Sequence, residues 1–248
     1  MNGKNKMLWL FLFVSAFVFF PRAAFAMHIS EGILPLKWAL FWFVLAVPFL
    51  YLGLVRLRRL TESSSQAIPM VGLVGSAVFI ISCMPIPVPV AGSCSHPVGS
   101  GLAAIIIGPS LSVVVSSVAL LLQALFLAHG GLSTLGANIF SMGVAGSFVA
   151  YGVFWLMVRV GFGWMAAAFM AGLLSDWATY ALTSLELSSA LHGGSGAFGP
   201  MFVSILLAFA PTQVPLGILE GVLCAMAYAF VRARRFDLLG VFEKGGAT

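Results

Sequence analysis

Six stretches of this chain are apolar almost throughout, at roughly 38–55, 68–84, 98–127, 136–158, 164–185 and 200–231. The runs are continuous and do not alternate, so they predict lipid-covered helices rather than the strands of a membrane barrel. A shorter run, Met7 to Phe20, precedes them and is interrupted only by Ser15. Lys4 and Lys6 stand before it, Pro21 breaks it, and Ala24-Phe25-Ala26 places small residues at −3 and −1. That order predicts a secretory leader cleaved after Ala26. An uncleaved first helix is the competing reading, but about fourteen apolar residues fall short of the ~20 that span a bilayer.

Composition puts the rest of the chain in lipid. Of 248 residues, 61% are hydrophobic and 8% charged, which no soluble domain of this size could bury. The mean hydropathy of +1.09 agrees. The formal charge of +5 belongs partly to the leader. Removing Lys4, Lys6 and Arg22 from twelve basic residues leaves nine against seven acids, a net of +2. That balance excludes a nucleic-acid footprint. No GxxxxGK[ST] motif or long polar region is present, so any nucleotide hydrolysis belongs to other subunits.

The basic residues mark topology instead. Arg56, Arg58 and Arg59 follow the first segment, Arg159 the fourth, and Arg232, Arg234 and Arg235 the last. Six crossings cannot place all three clusters on one face. One further segment between Arg59 and Arg159 can, and 98–127 holds it, because Gly108-Pro109 interrupts a run too long for one helix. Residues 98–108 rise only about 16 Å as a helix, so this segment must be sheltered by protein. The fold expected is an all-α integral membrane protein of seven helices, the third short, with the N-terminus outside and the C-terminus cytoplasmic. Its parts are a leader (1–26), a membrane body (27–235) and a tail (236–248).

This topology brings distant nitrogen donors to one face. Cleavage after Ala26 would leave a free amine on Met27 with His28 next to it. The amine, the amide nitrogen between them and the imidazole can close two chelate rings on one ion, nearly in a plane because the peptide is planar. The proline-punctuated loop Met84–Pro97 leaves the second helix on that same face and carries His96, which can complete a four-nitrogen square. Nitrogen donors suit divalent nickel, copper, zinc and cobalt, whereas magnesium and calcium prefer oxygen. Cys94 is either a soft fourth ligand or a disulfide partner for Cys83, although three cysteines make no metal-site spacing. His129 and His192, each before Gly-Gly, read as loop residues at helix ends, with a metal relay as the other reading. Cys224 reads as core. Asp176 and Glu220 lie in apolar helices, where a charge is usually functional. We read them as structural hydrogen-bonding groups packed against Thr179, Tyr180 or Gln213. Gly72-x-x-Gly75-Ser76 permits close helix contact, within the chain or with a partner.

Met27-His28-Ile29-Ser30-Glu31-Gly32-Ile33-Leu34-Pro35 resembles the N-terminal signature of the cobalt- and nickel-binding substrate components of energy-coupling-factor (ECF) transporters. Gly92–Leu102 is similar to that family's second ligand loop, and His129–Asn138 and Thr212–Leu216 also match its pattern. Glu31 at its place in the signature resembles the cobalt branch, the CbiM proteins. Val98, Ser100 and Ser30 depart from the commoner threonine, threonine and methionine without touching a ligand. The resemblance covers most of 27–235. It implies a seven-helix protein of the bacterial inner membrane that holds metal through Met27, His28 and His96, with Glu31, Cys94 and Asn138 around them. It also implies a membrane coupling (T) subunit, cytoplasmic ATPase subunits and a small auxiliary membrane subunit as partners. Cobalt for cobalamin synthesis is the expected cargo, and nickel the alternative. A membrane metalloenzyme fits less well, since no paired acid and base flank the ligands. A secondary carrier would need repeats and buried charge pairs that the sequence lacks.

Overall fold

The computed structural model describes residues 25–26, 28–64, 67–84, 86–87, 93–192 and 197–234. Most of the expected leader, Met27 and the expected tail lie outside the described residues. Among the described residues there are seven helical segments: α1 (Leu36–Ser63), α2 (Ala67–Ser82), α3 (Ser100–Ile107), α4 (Pro109–Phe126), α5 (Leu135–Arg159), α6 (Trp164–Leu191) and α7 (Phe198–Arg234). Three very short strands, β1 (Phe25–Ala26), β2 (Ile86–Pro87) and β3 (Ser93–Ser95), form a ribbon in the loops at one end. The expected all-helical architecture is thus present, with this ribbon as the departure from it.

Four helices, α1, α4, α5 and α7, are long and apolar enough to cross a membrane. Helix α2 is apolar but has sixteen residues, and α6 carries Asp176 and Glu186 along its twenty-eight. Large apolar side chains such as Leu36, Val44, Leu73, Phe126, Trp155, Met226 and Phe230 face outward, as lipid-covered surfaces require.

The break at Gly108-Pro109 falls where the sequence places it. Gly108 has φ 88° and ψ 158°, a region essentially confined to glycine, and Pro109 opens α4 with a φ already suited to a helix. Every residue of α3 is buried. Eight residues rise about 12 Å, and protein on all sides supplies the apolar surroundings that lipid gives the longer helices. A Cβ at Gly108 would lie 3.0 Å from Nη1 of Arg56, so the α3–α4 turn sits beside the arginines of α1. Arg56 lies twenty residues beyond Leu36, about 30 Å along the helix. Arg232 stacks on Trp164, just after Arg159 in the chain, so the arginines ending α5 and α7 lie at one end of the bundle.

Hydroxyls and glycines draw the interior helices close. Ser147 donates to Ser112 (2.7 Å), Ser112 to the Ser100 carbonyl (3.0 Å) and Ser175 to the Gly146 carbonyl (3.0 Å). The middle of α5, Ile139–Gly146, is wound as a π-helix. Helices α6 and α7 run antiparallel with Gly172 against Gly221 and Cys224, which is core as expected. Gly75 backs on Val115 of α4, whereas Gly72 faces an outward groove.

The buried acids depart from expectation in their partners. Glu220 is structural, but it accepts the backbone N–H groups of Val98 (2.7 Å) and Gly99 (2.8 Å) rather than Thr179, Tyr180 or Gln213. The carboxylate oxygens of Asp176 accept no hydrogen bond among the described residues. Helix α6 runs six residues past the expected 185 and thereby takes Glu186, fully buried, into the bundle.

Gly108→Val is expected to destabilise the protein by about 1–3 kcal/mol, because the backbone region is glycine's. Gly152→Ala, where a Cβ meets nothing within 4 Å, is expected to be neutral or mildly stabilising. Thermal unfolding in detergent checks both, and equal melting temperatures for the two variants would refute the strained turn.

Candidate metal centre

Two histidines meet across the loops at one end of the bundle. Strand β1 pairs parallel with β3, Phe25 opposite Ser93 and Ala26 opposite Cys94. His28 and His96 follow these strands, and their ring centroids are 4.7 Å apart. Strand β2 pairs antiparallel with the other edge of β3. Met27 lies outside the described residues, as does the side chain of Cys94. Cys83 is a free thiol among the described residues, and the expected pairing with Cys94 falls on a side chain outside them.

Residues 28–34 have no helix or sheet of their own, and side chains of the 129–138 segment satisfy their backbone. Asn138 accepts the Ile29 N–H on Oδ1 (2.9 Å) and returns Nδ2–H to the Ile29 carbonyl (3.2 Å). Thr134 donates to the same carbonyl. The Ser133 N–H donates to Glu31 (3.1 Å), and hydrogen bonds from Ser133 hold the Glu31 carboxyl below its usual range. A buried backbone needs such partners wherever regular structure does not provide them. Ile29, Leu34, Ala39, Trp42 and Ala137 form a small apolar cluster beneath the strap.

The two glycines after His129 let the strap lie flat. A Cβ at Gly131 would fall 2.6 Å from the Glu31 Cα, and one at Gly130 3.2 Å from the His28 Cβ. Gly130 also has φ 80°, and Ala128 has φ 48°, uncommon outside glycine. The His129 N–H donates to the Gln123 carbonyl at the end of α4 (3.2 Å). His129 therefore turns inward, with ring centroids 5.0 Å from both His28 and His96. One ligand nitrogen from each of the three rings lies within 4.8 Å of the other two.

Hydrogen bonds select which nitrogen of each ring is free. The Phe79 carbonyl can only accept, so it takes the Ser82 hydroxyl proton (3.1 Å), and Ser82 Oγ then accepts from Gln123 Nε2 (2.7 Å). That orients Gln123 Oε1 toward His28 Nε2 (3.1 Å), which must carry the proton and leaves Nδ1 with the lone pair. His96 Nδ1 faces the Pro97 carbonyl (3.0 Å), so its lone pair is on Nε2. The amides of Val98 and Gly99, held by Glu220, fix this loop from below.

Electrostatics keep the cluster neutral. Burial, then the neighbouring rings of His96 and His129, lowers the His28 pKa well below 6.5. Burial and His129 bring that of His96 to about 3, and burial lowers that of His129. Three neutral imidazoles, with no carboxylate among the described residues of the cluster, suit cobalt, nickel, copper or zinc and not magnesium or calcium. A pocket of about 190 Å³ adjoins them, lined by Ser82, Cys83, His96, Gln123, Leu127 and His129.

Sequence reasoning placed His28 and His96 together, and Glu31 and Asn138 as supports. It underrated His129, read as a loop residue at a helix end, and passed over Gln123. A lone amide in the apolar run of α4 was the available signal for Gln123. His192 is not part of the cluster; its ring bonds the Ser188 carbonyl (2.9 Å).

Comparisons with known proteins place the chain in a family. The family model for the cobalt uptake substrate-specific transmembrane region, CbiM, matches residues 28–238. The chain belongs to this family. The cobalt transport protein CbiM of Sorangium cellulosum is 57% identical over 86% of this chain and 94% of its own length. That of Geobacter sulfurreducens is 59% identical over 90% of this chain, which spans only 65% of that relative. The CbiM protein of Carboxydothermus hydrogenoformans is 43% identical over 98% of both chains. Crystal structures of a transition metal transporter and of a truncated one share the fold, with TM-scores of 0.71 and 0.72 at 24% identity. They cover 84% of this chain and 93% and 99% of their own. As a CbiM family member the chain is a multi-pass membrane protein.

Gln123→Leu and Asn138→Ala are each expected to weaken divalent cobalt binding by about 10–100-fold, the usual effect of removing a group that orients a ligand. Calorimetric titration tests this, and wild-type affinity in both variants would refute it. In the metal-free protein, the lowered His96 pKa means that the unfolded chain binds the extra proton first as pH falls below 6.5. Stability should therefore be full above that pH and decline toward about 3, with a shallower decline in His96→Phe. Denaturation across that range reads the slope.

Proposed function

We propose that this chain is the substrate-capture component of an ATP-driven ECF importer for divalent cobalt, and that it supplies the metal for cobalamin synthesis. The observation that carries this reading is the meeting of His28, the second residue of the expected mature chain, with the buried His96. Cleavage after Ala26 frees the Met27 amine one residue from that pair. The amine, the His28 amide nitrogen, which gives up its proton to solvent, and the His28 imidazole bind cobalt as a chelate, and His96 adds a fourth nitrogen. The lone pair on His28 Nδ1 favours this, since Nδ1 is the nitrogen that closes a six-membered ring with the amide of its own residue. The family match starting at His28 is also in keeping with a separate leader.

In this reading the N-terminus and the histidine cluster face outside, and the arginine ends face the cytoplasm. A membrane coupling subunit and cytoplasmic ATPases contribute the energy, and a small auxiliary membrane subunit joins them. Names of the CbiM relatives favour cobalt as cargo. The mature body is 27–235, followed by a short cytoplasmic tail.

The test uses the processed protein with its N-terminus sequenced. His28→Ala, His96→Ala and one residue added before Met27 should each abolish tight cobalt binding. Cellular uptake should stop when the ATPases are removed. Unchanged binding with the added residue would overturn the chelate, and uptake without ATPases would overturn the transporter class.

A further inference from the structure

We propose that His129 is a fifth nitrogen ligand, reaching the ion from outside the chelate plane, and that this axial donor favours divalent cobalt over nickel. The proposal rests on the N-terminal chelate above. That chelate fills three corners of a plane, and the planar peptide between its rings holds them there. One corner remains, which His96 fills. Yet two further imidazoles stand at the site, and the centroids of His28, His96 and His129 form a nearly equilateral triangle with sides of 4.7, 5.0 and 5.0 Å. A second imidazole within reach of the same ion, once the plane is full, can only approach from above or below it.

Two independent features mark His129 as a ligand. Its Nε2 is buried and has no hydrogen-bond partner among the described residues. Buried polar atoms are rarely left in that state without a role. The backbone around His129 is also constrained toward the cluster: Ala128 adopts φ 48°, Gly130 φ 80°, and the His129 amide is tied to Gln123. Positive φ at a residue with a Cβ persists only where the surroundings impose it.

The consequence for metal choice follows from electron count. Four nitrogens in a plane suit divalent nickel and copper. Low-spin d8 nickel has a filled orbital along the axis, which repels a fifth donor. Low-spin d7 cobalt has a single electron there and binds one axial ligand readily. An axial imidazole therefore adds affinity for cobalt and little for nickel.

Electron paramagnetic resonance of the cobalt-loaded mature protein tests the assignment. The low-field-gradient cobalt lines along the axis should each split into three through one axial 14N. His129→Ala should lose the triplets, and added free imidazole should restore them, as doublets when the imidazole is 15N-labelled. Competition titration should show the cobalt-to-nickel affinity ratio of His129→Ala reduced by about tenfold. His129→Gln, which keeps similar bulk, should behave the same way and controls for misfolding. Triplets that persist in His129→Ala, or that vanish only in His96→Ala, overturn the axial role. If instead one residue added before Met27 leaves both spectrum and affinity unchanged, the N-terminal chelate itself is overturned, and the fifth ligand with it.

Discussion

The site depends on α3 being too short. A helix of eight residues cannot cross a bilayer, so the loop before it is drawn down into the bundle, and His96 at 1% exposure is buried with it. Sinking a loop into an apolar interior strands its amide groups, and each unsatisfied one is costly. Glu220 answers that cost at the point where it is greatest, accepting both Val98 and Gly99 from α7. The carboxylate thus anchors His96 through the backbone, by fixing it two and three residues further on.

The opposite wall of the site is built without secondary structure. Asn138 pairs with both backbone groups of Ile29 much as a neighbouring strand would, while Thr134, Ser133 and Glu31 complete the strap. Side chains offer a geometry that a strand cannot, because one short segment can be seated at a helix end and still leave its first residues free to turn inward. The helices behind are joined by hydroxyl and glycine contacts, which bring backbones closer than larger side chains allow. Rigidity therefore comes from the bundle, and the strap is only as firm as a handful of hydrogen bonds and one small apolar cluster.

Periodicity was enough to read the all-helical body and the break at Gly108-Pro109, where a glycine and a proline interrupt one long apolar run. The boundaries of α6 were less legible: Glu186 ends the apolar run at 185 but not the helix, because the bundle interior accommodates it. His28 and His96 were legible through their spacing from the leader and the proline loop. His129 was not, because a histidine before Gly-Gly looks like any loop residue until the close approach of Gly130 and Gly131 to His28 and Glu31 is seen. Gln123 was hidden for a different reason. Its role lies in a chain of hydrogen bonds from Phe79 through Ser82, and no one-dimensional pattern carries the direction of a proton.

That direction bears on how a captured ion would be let go. On the proposed reading, three of the donors belong to Met27 and His28, on the strap, and the remaining imidazoles belong to loops fixed to the bundle by Glu220 and Gln123. Acid would act on the Met27 amine and the deprotonated His28 amide rather than on the imidazoles, which burial already keeps neutral. Displacing one short segment, by contrast, removes most of the donor set in a single movement. The hydrogen bonds that would have to break are those of Asn138, Thr134 and Glu31 to the strap, each worth about 0.5–3 kcal/mol. Their sum lies within reach of the energy that partner subunits can deliver, whereas dismantling the α3 loop would mean unburying Glu220 and an entire helix. The division between a firm wall and a weakly tied strap is therefore the feature of this fold best matched to a site that must bind tightly and then empty.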